Sequence, residues 1–251
     1  MGLALLAAVF YAAAVEPYWI EVTRHQVRAP VPRPLRLVLL CDLHTSGFGR
    51  LEAKTLELVA REKPDAILVA GDGISGAKGY PGALKFLQRL QAPLGVWAVR
   101  GNWENWTRRK DEPAFYQEAG VGLLVNETVA LAPGVTLTGY DDARTGRPDL
   151  DRAARGLAKS AYSIALFHSP RFFDRVTGIH ALCLAGHTHG GQFRLPGLGP
   201  LWLPAGSSPY VAGWYRKEGS ALYVSRGVGG SLLPIRFLCR PEVAVFDLVP
   251  D

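Results

Sequence analysis

A chain of 251 residues, 48% hydrophobic and 20% charged, is long enough to bury one large core and too apolar to stay disordered. Its 28 glycines and 18 prolines are scattered between apolar runs without a repeat, which excludes a fibrous or low-complexity chain and suits many short strands joined by tight connections. The net charge of +6 suits an anionic partner: a phosphate-bearing small molecule, an anionic membrane surface or nucleic acid, unless it is simply an ordinary basic exterior. Cys41, Cys183 and Cys239 are odd in number, far apart and set in apolar runs, so they read as buried free thiols of a reducing compartment rather than a disulfide framework.

The chain divides into an apolar N-terminal segment with a proline-rich connector, residues 1–34, and one domain, residues 35–251. Leu3 to Val15 is apolar without interruption, and Tyr18, Trp19 and Ile20 follow like an aromatic interface anchor. At 1.5 Å per residue that run spans only about 20 Å, short of the roughly 30 Å hydrocarbon core. Three readings stand: an uncleaved membrane anchor, an export signal and a buried helix. No Lys or Arg precedes the run, which weakens the signal-peptide reading, while Arg24, Arg28, Arg33 and Arg36 follow it. The expectation is a membrane-associated chain with its main domain on the cytoplasmic face.

Beyond the connector Ala29–Pro34, LRLVLLCD reads as a buried strand ending at Asp42. Leu51 to Glu62 reads as a helix with Leu51, Thr55, Leu58 and Val59 on one face and Pro64 stopping it. Ala66 to Asp72 is the next strand, Pro81 to Leu90 a second helix, and Gly95 to Asn102 a third strand. This alternation implies a parallel sheet with right-handed crossovers. From Leu123 to Tyr140 the pattern changes to short antiparallel strands, followed by strands at Ser163–His168 and Ala181–His189 with a short helix near Arg171–Val176 between them. The C-terminal third is again strand-rich. The expected fold is therefore α/β, with two packed mixed β-sheets flanked by helices.

The polar residues of interest sit where apolar strands stop. Asp42 and His44 close the first strand, Asp72 the second and Asn102 the third; His168 closes a later one, and His187 and His189 another. In open α/β sheets the C-terminal strand ends are where ligands bind, so these seven can converge. Carboxylates, an amide and imidazoles with no thiolate suit a pair of divalent ions, manganese first, then Fe, Zn, Co or Ni. One aspartate must bridge the two ions, which leaves room for a shared hydroxide as nucleophile.

These motifs resemble those of the calcineurin-like metallophosphoesterases: DLH at Asp42–His44, GD at Gly71–Asp72, GNWE at Gly101–Glu104, His168, and GHTHGGQ at Gly186–Gln192. The resemblance covers Leu35 to the C-terminus and implies a four-layer α/β/β/α sandwich. It implies that Asp42, His44, Asp72 and His189 hold one metal and that Asp72, Asn102, His168 and His187 hold the other. GHTHGGQFRLPGLGP, LYVSRGVGG and PIRF further resemble the membrane-associated bacterial branch, which includes a cell-wall-associated phosphoesterase and a UDP-diacylglucosamine pyrophosphatase.

One position departs from the family pattern. Where most members carry a histidine after the GN pair, with a role in protonating the leaving oxygen, this chain has Trp103. An indole donates a hydrogen bond but carries no proton to give, and the leftover His25 and His180 lie in the connector and at a strand start. A pyrophosphate, or a diester with an acidic leaving group, is therefore the expected substrate, because such groups leave without a general acid. Asp72, Asn102 and Glu104 are the expected catalytic residues, with Glu104 orienting Asn102 or its loop. Trp103 and Trp106 would wall the substrate, and Arg108, with Arg109 and Lys110, would neutralise a second phosphate. The first expectation is a phosphate-containing lipid substrate met at a membrane. A soluble nucleotide or nucleic-acid phosphodiesterase is the second and a non-catalytic metal scaffold the third; nucleic acid is disfavoured as a partner and no protein partner is expected.

Overall fold

The computed structural model describes residues 2–157 and 162–251. Fourteen strands run β1 (Glu21–Arg28), β2 (Leu35–Leu40), β3 (Ala66–Val69), β4 (Val96–Ala98), β5 (Gly122–Leu123), β6 (Glu127–Ala132), β7 (Val135–Gly139), β8 (Tyr162–Leu166), β9 (Leu182–Ala185), β10 (Arg194–Leu195), β11 (Gly199–Pro200), β12 (Gly213–Lys217), β13 (Ser220–Val224) and β14 (Glu242–Val249). Two six-stranded sheets result, in the orders β1-β14-β2-β3-β4-β5 and β12-β13-β9-β8-β7-β6, beside a small β10-β11 ribbon. Both large sheets are mixed. In the first, β2 to β5 run parallel while β14 runs antiparallel to β2. In the second, β7, β8, β9 and β13 run parallel and each edge strand is antiparallel to its neighbour.

Alternation along β2 shows why the sequence reads as one apolar run. Leu37, Leu39 and the following Cys41 point between the sheets, into a core shared with Leu68, Leu137, Leu184 and Phe246. Val38 and Leu40 point the other way, toward Val59, Phe86 and Phe115 on the outer helices α2 (Arg50–Glu62), α3 (Tyr80–Leu87) and α5 (Glu112–Glu118). A strand buried on both faces has no polar side to show. On the far side of the second sheet, Phe167, Cys183 and Ala185 pack with Ala153 and Phe173 of the short helices α6 (Leu150–Ala154) and α7 (Phe173–Val176). These are the four expected layers. The three cysteines are free and buried.

The N-terminus is where the structure departs from expectation. Helix α1 (Gly2–Phe10) is nine residues long, about 14 Å, and no helix among the described residues is long and apolar enough to cross a membrane. The expectation of a membrane-associated chain is corrected on this point: among the described residues no helix supplies a spanning anchor. After Phe10 the chain continues as a wider helical turn over Tyr11–Val15 and a tighter one over Glu16–Tyr18, and Glu16, fully buried, accepts the backbone N–H groups of Leu238 and Cys239. A carboxylate that caps an inner loop holds its segment to the body of the protein. Nor does residue 34 mark an edge of the fold, because β1 lies in the first sheet beside β14 in parallel register.

Candidate metal centre

Each expected ligand lies just past a strand: Asp42 and His44 after β2, Asp72 after β3, Asn102 at the start of α4 (Asn102–Trp106), His168 after β8, and His187 and His189 after β9. Five of the seven, Asp42, His44, Asp72, His187 and His189, adopt positive φ between 48° and 73°. Non-glycine residues visit that region at a cost of about 1–3 kcal/mol each, so the surrounding fold must impose it. The effect is to turn each side chain across the sheet end instead of along the strand.

The seven come together and all are buried. Asp72 Oδ2 stands 3.5 Å from His44 Nε2 and 3.2 Å from His168 Nε2, and so faces both halves of the cluster. On one side His44 Nε2 and His189 Nε2 are 3.1 Å apart, with Asp42 Oδ1 3.9 Å from the latter. On the other, His168 Nε2 lies 3.2 Å from Asn102 Oδ1 and 3.1 Å from His187 Nδ1. Ligand atoms about 2.0–2.2 Å from one ion are necessarily about 3–4 Å from each other, which is the spacing seen.

His44, His187 and Asp72 are also prepared in their protonation. His168 Nδ1 and His187 Nε2 lie 2.7 and 2.8 Å from the carbonyls of Ala70 and Ala205, and since a carbonyl only accepts, each of those nitrogens carries a hydrogen. His168 Nε2 and His187 Nδ1 are the nitrogens left facing the cluster. Burial pushes His44 and His187 down to about 4, into the neutral state a metal requires. Asp42 is pushed up to about 6 by burial, partly offset by His168. Burial would raise Asp72 too, but His168 and His44 outweigh it and bring Asp72 down to about 2. His168 is correspondingly raised by Asp72, against burial. Carboxylates this deep call for a cation, and the residues fit two divalent ions.

Glu104, expected among the catalytic residues, does not line the cavity over the ligands. Its carboxylate accepts the N–H groups of Asp72 at 2.9 Å and of Gly73 and Gly101 at 2.8 Å each, lacing the loop after β3 to the loop after β4. Burial, then the facing Asp72 carboxylate, pushes it up to about 7 against the pull of those donors. It is a positioning residue. Trp103 donates its backbone N–H to Asp72 Oδ1 at 2.8 Å, and its ring meets His44 and Trp106 edge-on, at 5.7 Å in both cases. Both tryptophans line the cavity, of about 230 Å³, with Asp72, Asn102, His187 and His189. Arg108 does not: α4 ends at Trp106, and the exposed Arg108 follows beyond its cap. The cation at the cavity is Arg144, which the sequence reading passed over.

Asp and His clusters paired across one aspartate, at the strand ends of a four-layer sandwich, define a metal-dependent hydrolase. The family model for the calcineurin-like phosphoesterases matches residues 35–191. An uncharacterized metallophosphoesterase of Bacillus subtilis (strain 168), YkuE, is 34% identical, covering 95% of this chain and 88% of its own length. The phosphodiesterase YaeI of Escherichia coli (strain K12) is 30% identical, covering 93% and 90%. Among solved structures, a putative 5'-nucleotidase from Staphylococcus aureus superposes with TM-score 0.52 at 10% identity, over 87% of this chain and 55% of that one; the likeness establishes fold alone. The chain belongs to the calcineurin-like phosphoesterases and is a metal-dependent phosphoesterase.

Proposed function

We propose that the chain hydrolyses a phosphodiester or pyrophosphate bond in a substrate with an apolar chain, such as a lipid-linked pyrophosphate of the UDP-diacylglucosamine type. The observation that carries this reading is a shared wall. Trp202, Ser231 and Leu232 border both the cavity over the ligands and an adjoining groove of about 320 Å³, whose lining adds Phe193, Leu201 and Leu233. Leu201, Trp202, Leu232 and Leu233 are all exposed. An acyl chain there would remove apolar surface from water at about 0.8 kcal/mol per CH₂.

Asp42, His44, Asp72 and His189 would hold one ion, and Asp72, Asn102, His168 and His187 the other, with manganese the first candidate. Those residues would hold the ions so that, when bound, they would offset the phosphate's charge and lower the pKa of a bound water. The protein's own groups orient the substrate, and Trp103 has no proton to give a leaving oxygen. That favours a leaving group already stable as an anion, such as the second phosphate of a pyrophosphate. A soluble nucleotide phosphodiesterase is the second reading, favoured by the exposed face of Trp106 at the cavity mouth as a stacking surface for a base, and by the name of the Escherichia coli relative.

The test compares a diacylated sugar-nucleotide pyrophosphate with its deacylated counterpart, using the manganese-loaded full chain. Acylation should raise kcat/KM at least tenfold, and Leu232→Asp with Leu233→Asp should erase the gain. Equal turnover of the two substrates by the parent protein would sink the lipid reading in favour of the nucleotide one.

A further inference from the structure

We propose that Arg144 sets substrate specificity by holding a second phosphate, the one the metal ligands do not reach. The inference builds on the pyrophosphate reading above. Arg144 is the one Lys or Arg among the described residues that line the cavity over the ligands. Its guanidinium lies over the Trp106 ring, 5.1 Å from the centroid, and Trp106 in turn touches Trp103 against His44. A continuous run of contacts thus joins the cation to the metal centre. Among the described residues no carboxylate pairs with this guanidinium, although two acidic residues lie just before it in sequence.

Those two acids are engaged in building the loop. Asp142, fully buried, accepts from Arg144 N at 3.2 Å, Thr145 N at 2.9 Å, Thr145 Oγ1 at 2.7 Å and Ser169 Oγ at 2.5 Å. Asp141 accepts from Asp142 N at 3.0 Å and Arg147 N at 2.8 Å, and pairs with Arg100 at 3.7 Å. Gly146 closes the turn so tightly that a Cβ there would lie 2.5 Å from Asp141 Oδ1. Ser169 adjoins the ligand His168, so the loop is fastened to the metal centre itself. The backbone of Arg144 is therefore fixed while its fork is left free. A guanidinium matches the oxygens of a phosphate in a bidentate manner, and stacking on an indole pre-orients it.

With both ions bound, the attacked phosphate would already be neutralised at the ligand cluster, so the fixed cation Arg144 beside it would serve a neighbouring anion. Phosphomonoesters and simple aryl diesters have none. The experiment uses manganese-loaded full chain in three forms, parent, Arg144→Gln and Arg144→Lys, with UDP and UMP binding measured by calorimetry. The parent should prefer UDP, and Arg144→Gln should cut that preference about 30-fold, as expected for losing a hydrogen bond to a charged group. Arg144→Lys should keep part of it. Metal content should stay unchanged, and kcat/KM on bis(4-nitrophenyl) phosphate should fall by less than the loss of UDP preference. The proposal is overturned if the parent shows no preference, if Arg144→Gln keeps it, or if bis-aryl turnover falls equally. Should the preference depend on Arg144 while the parent cleaves only diesters, the pyrophosphate reading fails and the phosphate-holding role stands.

Discussion

Substituting Gly101 by alanine tests whether the position of Asp72 is what makes the two ligand clusters one centre. Gly101 directly precedes Asn102, and its φ of −99° is open to alanine, so the whole effect lies in contact. A Cβ built there meets Asp72 N at 2.5 Å and Asp72 Cγ at 2.8 Å, and overlaps Asp72 Oδ1. Atoms in real structures keep at least about 3.0–3.4 Å from a Cβ, so the two loops must separate by about 0.5–1 Å. They cannot do so freely, because Glu104 binds the N–H groups of Gly101, Asp72 and Gly73 at once. Overpacking of this kind destabilises by about 1–3 kcal/mol, which for a domain of this size lowers Tm by about 2–12 °C. A misplacement near 1 Å at the chemistry lowers turnover about 100-fold. The assay is bis-aryl phosphate hydrolysis with metal content after desalting and a thermal melt. Gly47→Ala, where a Cβ meets nothing within 4 Å, is the control. A Gly101→Ala protein that keeps two ions per chain and turns over within threefold of the parent would refute the reasoning.

Trp103→His should restore a proton donor beside His44 and raise kcat/KM on an alkyl diester by about 100-fold, against much less on an aryl diester; equal gains on both would remove the leaving-group argument. Away from the centre, His180 is buried between Tyr140 OH at 2.8 Å and Ser163 Oγ at 2.6 Å, and burial brings it down to about 4. The unfolded chain, with an ordinary histidine near 6.5, binds this proton more readily than the folded one. The neutral histidine's contribution is therefore complete above about pH 6.5 and is lost as pH falls toward 4, amounting to about 2 kcal/mol by pH 5. Urea unfolding at pH 7 and pH 5 should show His180→Gln losing less stability than the parent over that interval; parallel losses would contradict the assignment.

Much of this was legible because the fold places its chemistry at strand ends. The apolar runs before Asp42, Asp72 and Asn102 announce β2, β3 and β4, and a polar residue ending a doubly buried strand has few other reasons to be there. Helix α2 was legible from the 3.6-residue spacing of Leu51, Thr55 and Val59, and it begins one residue earlier, at Arg50. The left-handed backbone of the ligands was not legible, because Asp and His carry no obligatory conformational mark as glycine does. Arg144 was missed for a related reason. DDARTG looks like an ordinary polar turn, and only the burial of both aspartates shows that they build the loop and leave the arginine without a carboxylate partner among the described residues. Arg108 lies outside the cavity where it was expected, because a cluster of basic residues near a motif says nothing about the direction in which a short helix delivers them.

The N-terminal segment misled because hydropathy measures what a segment could enter, whereas its role here is decided by one charged residue. Glu16 ends the apolar run, and an anchor would keep it at the water boundary. Instead its carboxylate is buried on the backbone of Leu238 and Cys239, while the Ala12 carbonyl accepts from Arg236 N at 2.9 Å. Arg236, itself buried, gives its guanidinium to the carbonyls of Arg226, Gly227, Gly229 and Cys239. Cys239 Sγ then reaches the carbonyl of His189 at 3.2 Å, and a Cβ on Gly227 would press on the Asp42 carboxylate at 2.8 Å. Ala12 and Glu16, at the end of the segment that looked like a tether, therefore close a polar-satisfied strap behind two ligands, while Leu3, Leu5, Leu6, Val9 and Phe10 stay exposed. A buried arginine with no carboxylate partner among the described residues is tolerable only because so many carbonyls face it. Those carbonyls face it because the strap is folded against Asp42 and His189, so the N-terminal turn and the metal centre stabilise the same loop from opposite sides.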